Sequence, residues 1–380
     1  MYIVDMKRIF PLLILLLLTA SSCIRKAADT TADGSELAMR HARLLSVKEH
    51  KGYVTVSITD PWDSTHVLHR YVLVPRDKAM PASLPEGDVI RTPVTSAAVY
   101  TSVHCGLLDE LGAYGCIKGV CDLRYINLKK VHDDVRRGTI RDLGETMTPN
   151  IEAIMELRPD VILLSPFENS GTYGKTGKMG IPLIECADYM EASPLARAEW
   201  MRFYGMLFGC EEKADSLFSE IERRYNETKR QAASVKSRPT VVTEMKIGST
   251  WYVAGGMSTV GILISDAGGD YVFKDVRESG ALPYSPEKVY EKAREADYWL
   301  IKYNQATDIT LADLRSMWSM NARMKAYSTK SIYCCNLSST HFFEETPFHP
   351  DVLLREYVNI LHPELREDEL TLKYYKQVKE

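Results

Sequence analysis

The chain has 380 residues, 45% apolar and 26% charged, with a formal net charge of -4 and a pI near 6.2. At roughly 100–200 residues per domain, that length holds two medium domains with attachments. The charge balance lacks the basic footprint of a nucleic-acid or membrane-surface binder, so no nucleic-acid partner is expected.

From Met6 the sequence reads MKRIFPLLILLLLTASSC: Lys7 and Arg8, an apolar run from Ile9 to Leu18, then small residues up to Cys23. The run is shorter than the ~20 residues of a spanning helix and suits a signal-peptide core. Ala20, Ser21 and Ser22 before Cys23 resemble a bacterial lipobox, which implies cleavage there and a diacylated Cys23 anchoring the mature chain to a membrane. A plain secretory signal is the alternative. Residues 24–40 are polar and unpatterned, as a flexible tether requires. No acidic run follows Cys23, where one would resemble a surface-export signal, so a periplasmic, lipid-anchored location is expected. The remaining seven cysteines are odd in number and lack a zinc-framework spacing. Most are expected to be buried thiols, with a Cys116–Cys121 disulfide as the alternative for that pair.

Residues 41–90 read as an added β element. Tyr53–Ile58 and His69–Val74 alternate apolar and polar residues around a turn-rich TDPWDSTHVL, which predicts a hairpin. KAMPASLPEGD then reads as a linker. Residues 91–192 alternate apolar strands (VTSAAVY, CIKGVC, DVILLS, IPLIECAD) with helical segments, the pattern of βαβ units and a parallel sheet. Residues 193–237 are predicted as a connecting helix, with Ser193 as N-cap and Pro194 at the first position. Its part from Glu211 to Lys236 would reach ~39 Å, enough to bridge two lobes. A second alternating series fills residues 238–380. The unit TPNIEAIMELRPDVILLS from Thr148 has a cousin, SPEKVYEKAREADYWLIK, from Ser285, so duplicated α/β topology is expected.

DLGETMTPNIEAIMELRPDVILLS, the helix after ECADYMEASPLARAEW, the GGDYVFKDVRESGALPYSPEKV block and the lipobox together resemble the class III substrate-binding proteins of ABC importers. That family includes carriers of ferric siderophores, haem and cobalamin. The resemblance implies two Rossmann-like α/β lobes joined by one long rigid helix, a monomer, and a ligand cleft between the lobes. It implies no catalysis and no intrinsic cofactor: the ligand would be a metal chelate (an iron complex, haem or cobalamin) handed to a permease and its ATPase. It also implies one acidic residue on the outside of each lobe for permease docking, matched by Glu152 and by Glu287. In the second lobe, counting back from the strand instead gives Val289, and Glu291 competes with Glu287.

Ligand contacts are expected on loops after strands, at Tyr100, Tyr125, Phe167, Trp251, Tyr252 and Phe342 with Phe343, because aromatic rings grip a planar chelate by stacking. Arg124 and Arg277 could neutralise an anionic chelate. For haem, the resemblance makes Tyr100 or His104 the axial-ligand candidate. The sequence lacks HxH, HxxxH and HExxH clusters, which argues against a bare-metal site. It also lacks GxSxG, P-loop and GxGxxG patterns, leaving an enzyme or sensor on the same fold as a minor alternative.

Overall fold

The computed structural model describes residues 34–168, 173–366 and 372–380; the signal segment and Cys23 lie outside the described residues. Ser35–Leu37 (β1), expected within the tether, is a strand that pairs antiparallel with Leu45–His50 (β2). Tyr53–Thr59 (β3) and Val67–Pro75 (β4) form the predicted hairpin, with Val56 opposite Tyr71. Asp88–Thr92 (β5) adds parallel to β4. The extension is therefore a five-stranded sheet rather than a hairpin. A lone hairpin is marginal in water, whereas this sheet has an apolar face that buries Val47, Val56, Ile58, Tyr71 and Leu73 in the main core.

In the first lobe Ala97–Val99 (β6), Ile117–Val120 (β7), Arg141–Asp142 (β8), Val161–Leu164 (β11) and Leu183–Glu185 (β12) form a sheet in the order β12-β11-β6-β7-β8, with every pairing parallel. Gly144–Glu145 (β9) and Thr148–Pro149 (β10) make a small separate hairpin. Helices Ser102–Leu111 (α1), Lys129–Arg137 (α2) and Ile151–Leu157 (α3) connect the strands. All four residues of β11 are buried, as expected for a parallel strand covered on both faces. At the edge strand β12, the Tyr71 hydroxyl donates to the Leu183 carbonyl at 2.9 Å and accepts from the Glu185 amide at 2.8 Å. The extension thus satisfies an edge that would otherwise present open backbone groups.

The connecting segment is three helices instead of one: Pro194–Glu199 (α4), Met201–Phe208 (α5) and Glu211–Ala233 (α6). The Ser193 hydroxyl accepts from the Ala196 amide at 3.2 Å and Pro194 opens the helix. Gly209, at φ +68°, takes the left-handed conformation that ends α5. The 23-residue α6 then bridges the lobes. Its Glu222 meets Arg40 and His41 of the extension, while its Tyr225 hydroxyl donates to Asp266 and its Arg224 pairs with Asp351 on the far side.

The second lobe contains Thr240–Thr243 (β13), Lys246–Ile247 (β14), Thr250–Ala254 (β15), Thr259–Asp266 (α7), Asp270–Tyr271 (β16), Ala281–Tyr284 (β17), Pro286–Ala293 (α8) and Tyr298–Tyr303 (β18). Leu311–Met317 (α9), Lys325–Ser328 (α10), Ile332–Asn336 (β19), Phe342–Glu345 (α11), Pro350–Leu361 (α12) and Lys376–Gln377 (β20) complete it. The main sheet runs β16-β13-β18-β19-β20, parallel except for β20, and β14-β15-β17 form an antiparallel annex. The lobes touch directly where the Asn127 amide donates to Glu344 at 2.9 Å and its side chain donates to the Leu337 carbonyl at 2.7 Å. His349 meets Glu110 across the same seam at 2.7 Å. Among the described residues no helix is long and apolar enough to cross a membrane, and all seven described cysteines are free, Cys116 and Cys121 included.

Candidate functional site: two cavities and two matched helix starts

Parallel sheets leave their ligand crevices at the carboxyl ends of the strands, and each lobe has a cavity there. In the first lobe about 490 Å³ is lined by Tyr100 after β6, Phe167 after β11, Met147, Tyr173, Lys175 and Thr176, among others. In the second about 350 Å³ is lined by Glu244 after β13, Ile247, Tyr252, Ser258, Ala281 and Lys302, among others. Phe167 and Tyr173 meet edge to face with ring centroids 6.2 Å apart. Glu244 and Lys302 form an ion pair across the mouth of β13. Burial works against charge on Lys302, but Glu244 outweighs it and raises the ammonium's pKa.

Of the residues expected at the ligand, Tyr100 and Phe167 line the first cavity and Tyr252 lines the second. Trp251 does not contribute, because it is fully buried: its indole donates to the Thr243 carbonyl at 3.1 Å and stacks on Trp299 at 5.6 Å. Alternation along β15 sends Trp251 into the lobe and Tyr252 out. Phe342 is likewise buried, against Tyr374 and Tyr375, and it is Phe343 that reaches solvent. Tyr125 is exposed beneath the Arg124 guanidinium at 4.7 Å, and Arg124 also faces Glu145 at 3.4 Å. Arg277 is exposed in the loop before β17.

His104 is not available to a ligand. Its ring is buried, with Nε2 against the Tyr204 hydroxyl at 2.8 Å and Asp188 at 3.1 Å, and Nδ1 against the Thr101 hydroxyl. Tyr100 has a buried hydroxyl without a hydrogen-bond partner among the described residues. Burial, above all, raises its phenol, which works against the phenolate that axial ligation needs. Among the described residues no group of three or more His, Cys, Asp or Glu side chains is placed to hold a bare metal ion.

The two copies of the repeated unit match closely at their helix starts. Asn150 caps α3 by accepting from the Ala153 amide at 3.0 Å, and Ser285 caps α8 by accepting from the Lys288 amide at 3.4 Å. Glu152 and Glu287 are the second residues of these helices, both exposed, where the helix dipole favours a carboxylate. Just beyond each helix an aspartate grips the opening of the lobe's first strand. Asp160 accepts from the Thr95 amide and hydroxyl at 2.9 Å, and Asp297 accepts from those of Thr240 at 2.8 Å. Counting back from these aspartates misleads, because the second copy has two more residues between cap and aspartate; Val289, reached that way, is buried. Thr148-Pro149 belongs to β10 and does not open α3, so its likeness to Ser285-Pro286 is coincidental.

Glu244 and Lys302 were not anticipated. Glu244 directly follows the strand TVVT, so the rule that selected the aromatics would have found it had it been applied to charged residues. Its ion-pair partner, 58 residues on within β18, had no local signal.

With this geometry in place, residues 98–336 match the periplasmic binding protein family, a family of binding proteins, and the chain belongs to it. The extension precedes the matched range. An uncharacterized lipoprotein of Methanocaldococcus jannaschii is 26% identical over 323 residues, covering 80% of this chain and 76% of the relative. Among solved structures, a periplasmic binding protein from Veillonella parvula superposes with a TM-score of 0.60 at 14% identity, over 81% of this chain and 98% of that one. An ABC-type Fe3+-hydroxamate transport protein from Saccharomonospora viridis superposes at 0.55 and 17% identity, over 71% and 94%. At such identities the structural likenesses establish the shared two-lobe fold.

Proposed function

We propose that this protein is the lipid-anchored solute-capturing component of an ABC importer, holding a metal chelate (a ferric siderophore or other iron complex, haem or cobalamin) between its lobes for delivery to a permease and its ATPase. The observation that carries this reading is the matched pair of exposed glutamates, Glu152 and Glu287, each at the second position of a capped helix on its own lobe. A rigid helix between the lobes fixes the spacing of such a pair, which is what two-point docking on a membrane partner needs. The cavities at the sheet ends supply the ligand face, and family membership supports a binding role.

The Glu152→Arg, Glu287→Arg double variant is expected to reduce chelate uptake by cells more than about tenfold, because like charges at a docking contact cost several kcal/mol. Its chelate Kd, measured on the purified protein, is expected to stay within about twofold. Unchanged uptake would sink the docking assignment, and a weakened Kd would place these residues at the ligand instead. Cys23→Ser is expected to move the protein from the membrane fraction to the soluble fraction and to abolish labelling by radioactive palmitate. Retention of the label would refute the anchor.

A further inference from the structure

Within the reading above, on which this step rests, we infer that the site takes a metal chelate of near-zero net charge with apolar flanks, rather than a polyanionic one. Among the described residues the lining of the first cavity has one side chain of a charged type, Lys175, which is exposed, beside the phenols of Tyr100 and Tyr173. Glu168, next to the lining residue Phe167 on the chain, is exposed and acidic, so it adds no cation. In the second cavity the only charged lining residues among those described are Glu244 and Lys302, and they are paired to each other. Recruiting Lys302 to an anionic ligand would strand the Glu244 carboxylate. Lys246 lies between lining residues Met245 and Ile247 on the chain, and strand alternation turns it to the opposite face.

Of the two arginines expected at the ligand, Arg124 has Glu145 at 3.4 Å, whereas exposed Arg277 has no ion pair among the described residues. A chelate with three negative charges would lose its hydration on entering such a site without gaining the arginine forks that normally replace it. Four large apolar side chains are instead exposed at the two cavities: Met147 at 73%, Phe167 at 44%, Ile247 at 69% and Tyr252 at 47%. Exposed apolar groups gathered around a cavity mark the surface that a ligand covers, and here the four outnumber the two cations without an ion pair among the described residues, Lys175 and Arg277. The matching ligand has its metal charge balanced within the chelate and presents hydrocarbon to both lobes.

The test titrates the full mature chain, at about 0.15 M salt, with three probes. The ferric complex of a trihydroxamate with no other ionisable group is neutral, since three monoanionic hydroxamates balance Fe3+; cyanocobalamin is also neutral overall; a ferric tris-catecholate carries three negative charges. At least one neutral probe is expected to bind more than about tenfold more tightly than the tris-catecholate, with a Kd that changes less than about twofold when salt is raised to about 0.5 M. Met147→Arg, which adds a cation at an exposed position of the lining, is expected to narrow the preference at least about threefold. Equal or tighter binding of the tris-catecholate by the unmodified protein overturns the charge assignment and leaves the chelate-carrier reading standing. Binding of none of the three, nor of haem, overturns the carrier reading itself.

Discussion

Glu199→Ala is expected to release the N-terminal extension from the body of the protein and to lower stability by roughly 3–4 kcal/mol. Glu199 is fully buried and accepts from three successive amides, Arg40 at 2.9 Å, His41 at 2.7 Å and Ala42 at 2.8 Å. Glu191 continues the series with the amides of Arg43 and Leu44, each at 3.0 Å, and takes the Trp200 indole N–H at 2.8 Å. Residues 40–44 lie outside any strand, so these carboxylates do for them what a neighbouring strand would do for a ladder. Arg202 lies 3.5 Å from Glu199 and offsets its charge. Removing the carboxylate strips three N–H groups of their acceptor, at about 1–3 kcal/mol for each that stays buried. The segment can instead peel away into water, which limits the total. Arg40 and Arg43 lie inside the clasp, so trypsin reports its opening directly: the wild type should resist cleavage there and Glu199→Ala should be cut. Glu199→Gln keeps one acceptor oxygen and should lose about half as much by urea midpoint. A tryptic pattern and a midpoint identical to wild type in the alanine variant would show that the clasp contributes nothing.

Nothing in the sequence announces this clasp. In EASPLARAEW the glutamates read as the solvated face of a short helix, and only the return of a segment some 150 residues earlier in the chain gives them partners. Local pattern served well where the physics is local: the period-two hairpin at β3 and β4, the Ser193-Pro194 helix start, and the unbroken apolar run of β11. It failed where pairing is long-range or a face must be chosen. β1 is too short and β5, DVIRT, too mixed in polarity to be read as strands alone, and both exist because β2 and β4 offer them edges. Trp251 and Tyr252 are adjacent aromatics on one strand; their period of two was legible, but which of them faces the core depends on Trp299 and the Thr243 carbonyl, far off in sequence or set by the fold. Phe342 and Phe343 pose the same choice, settled by Tyr374 and Tyr375. The register of Glu287 was obscured by counting from the wrong end, since helix length varies between the copies while the cap does not.

The second large effect is expected at His104, whose replacement by Asn should cost roughly 3–5 kcal/mol because it breaks a buried charge pair and leaves Asp188 less well compensated. Asp188 is buried and keeps only Arg197 at 3.1 Å and the Tyr204 hydroxyl at 3.1 Å once the imidazole is gone. Burial works against charge on the ring, but the Cys186 sulfur and the Asp188 carboxylate outweigh it and raise the imidazole to about 10. The sign of the pH dependence follows. The folded value lies above the unfolded one of about 6.5, so the charged ring's stabilisation is complete below that pH and is lost as pH rises through about 10. Between those limits the wild type should lose stability with rising pH, by at most roughly 1.4 kcal/mol per pH unit from this group. Asp188 acts at the opposite end: its carboxyl is lowered, so its contribution is present above about pH 3.9 and disappears on acidification. Urea midpoints taken from about pH 6 to pH 10 should therefore converge for wild type and His104→Asn as pH rises, and the difference between the two profiles removes the background titration of thiols and other groups. Parallel profiles, with a constant offset across the window, would mean that the ring is neutral in the folded protein and that the pair with Asp188 is a hydrogen bond without charge.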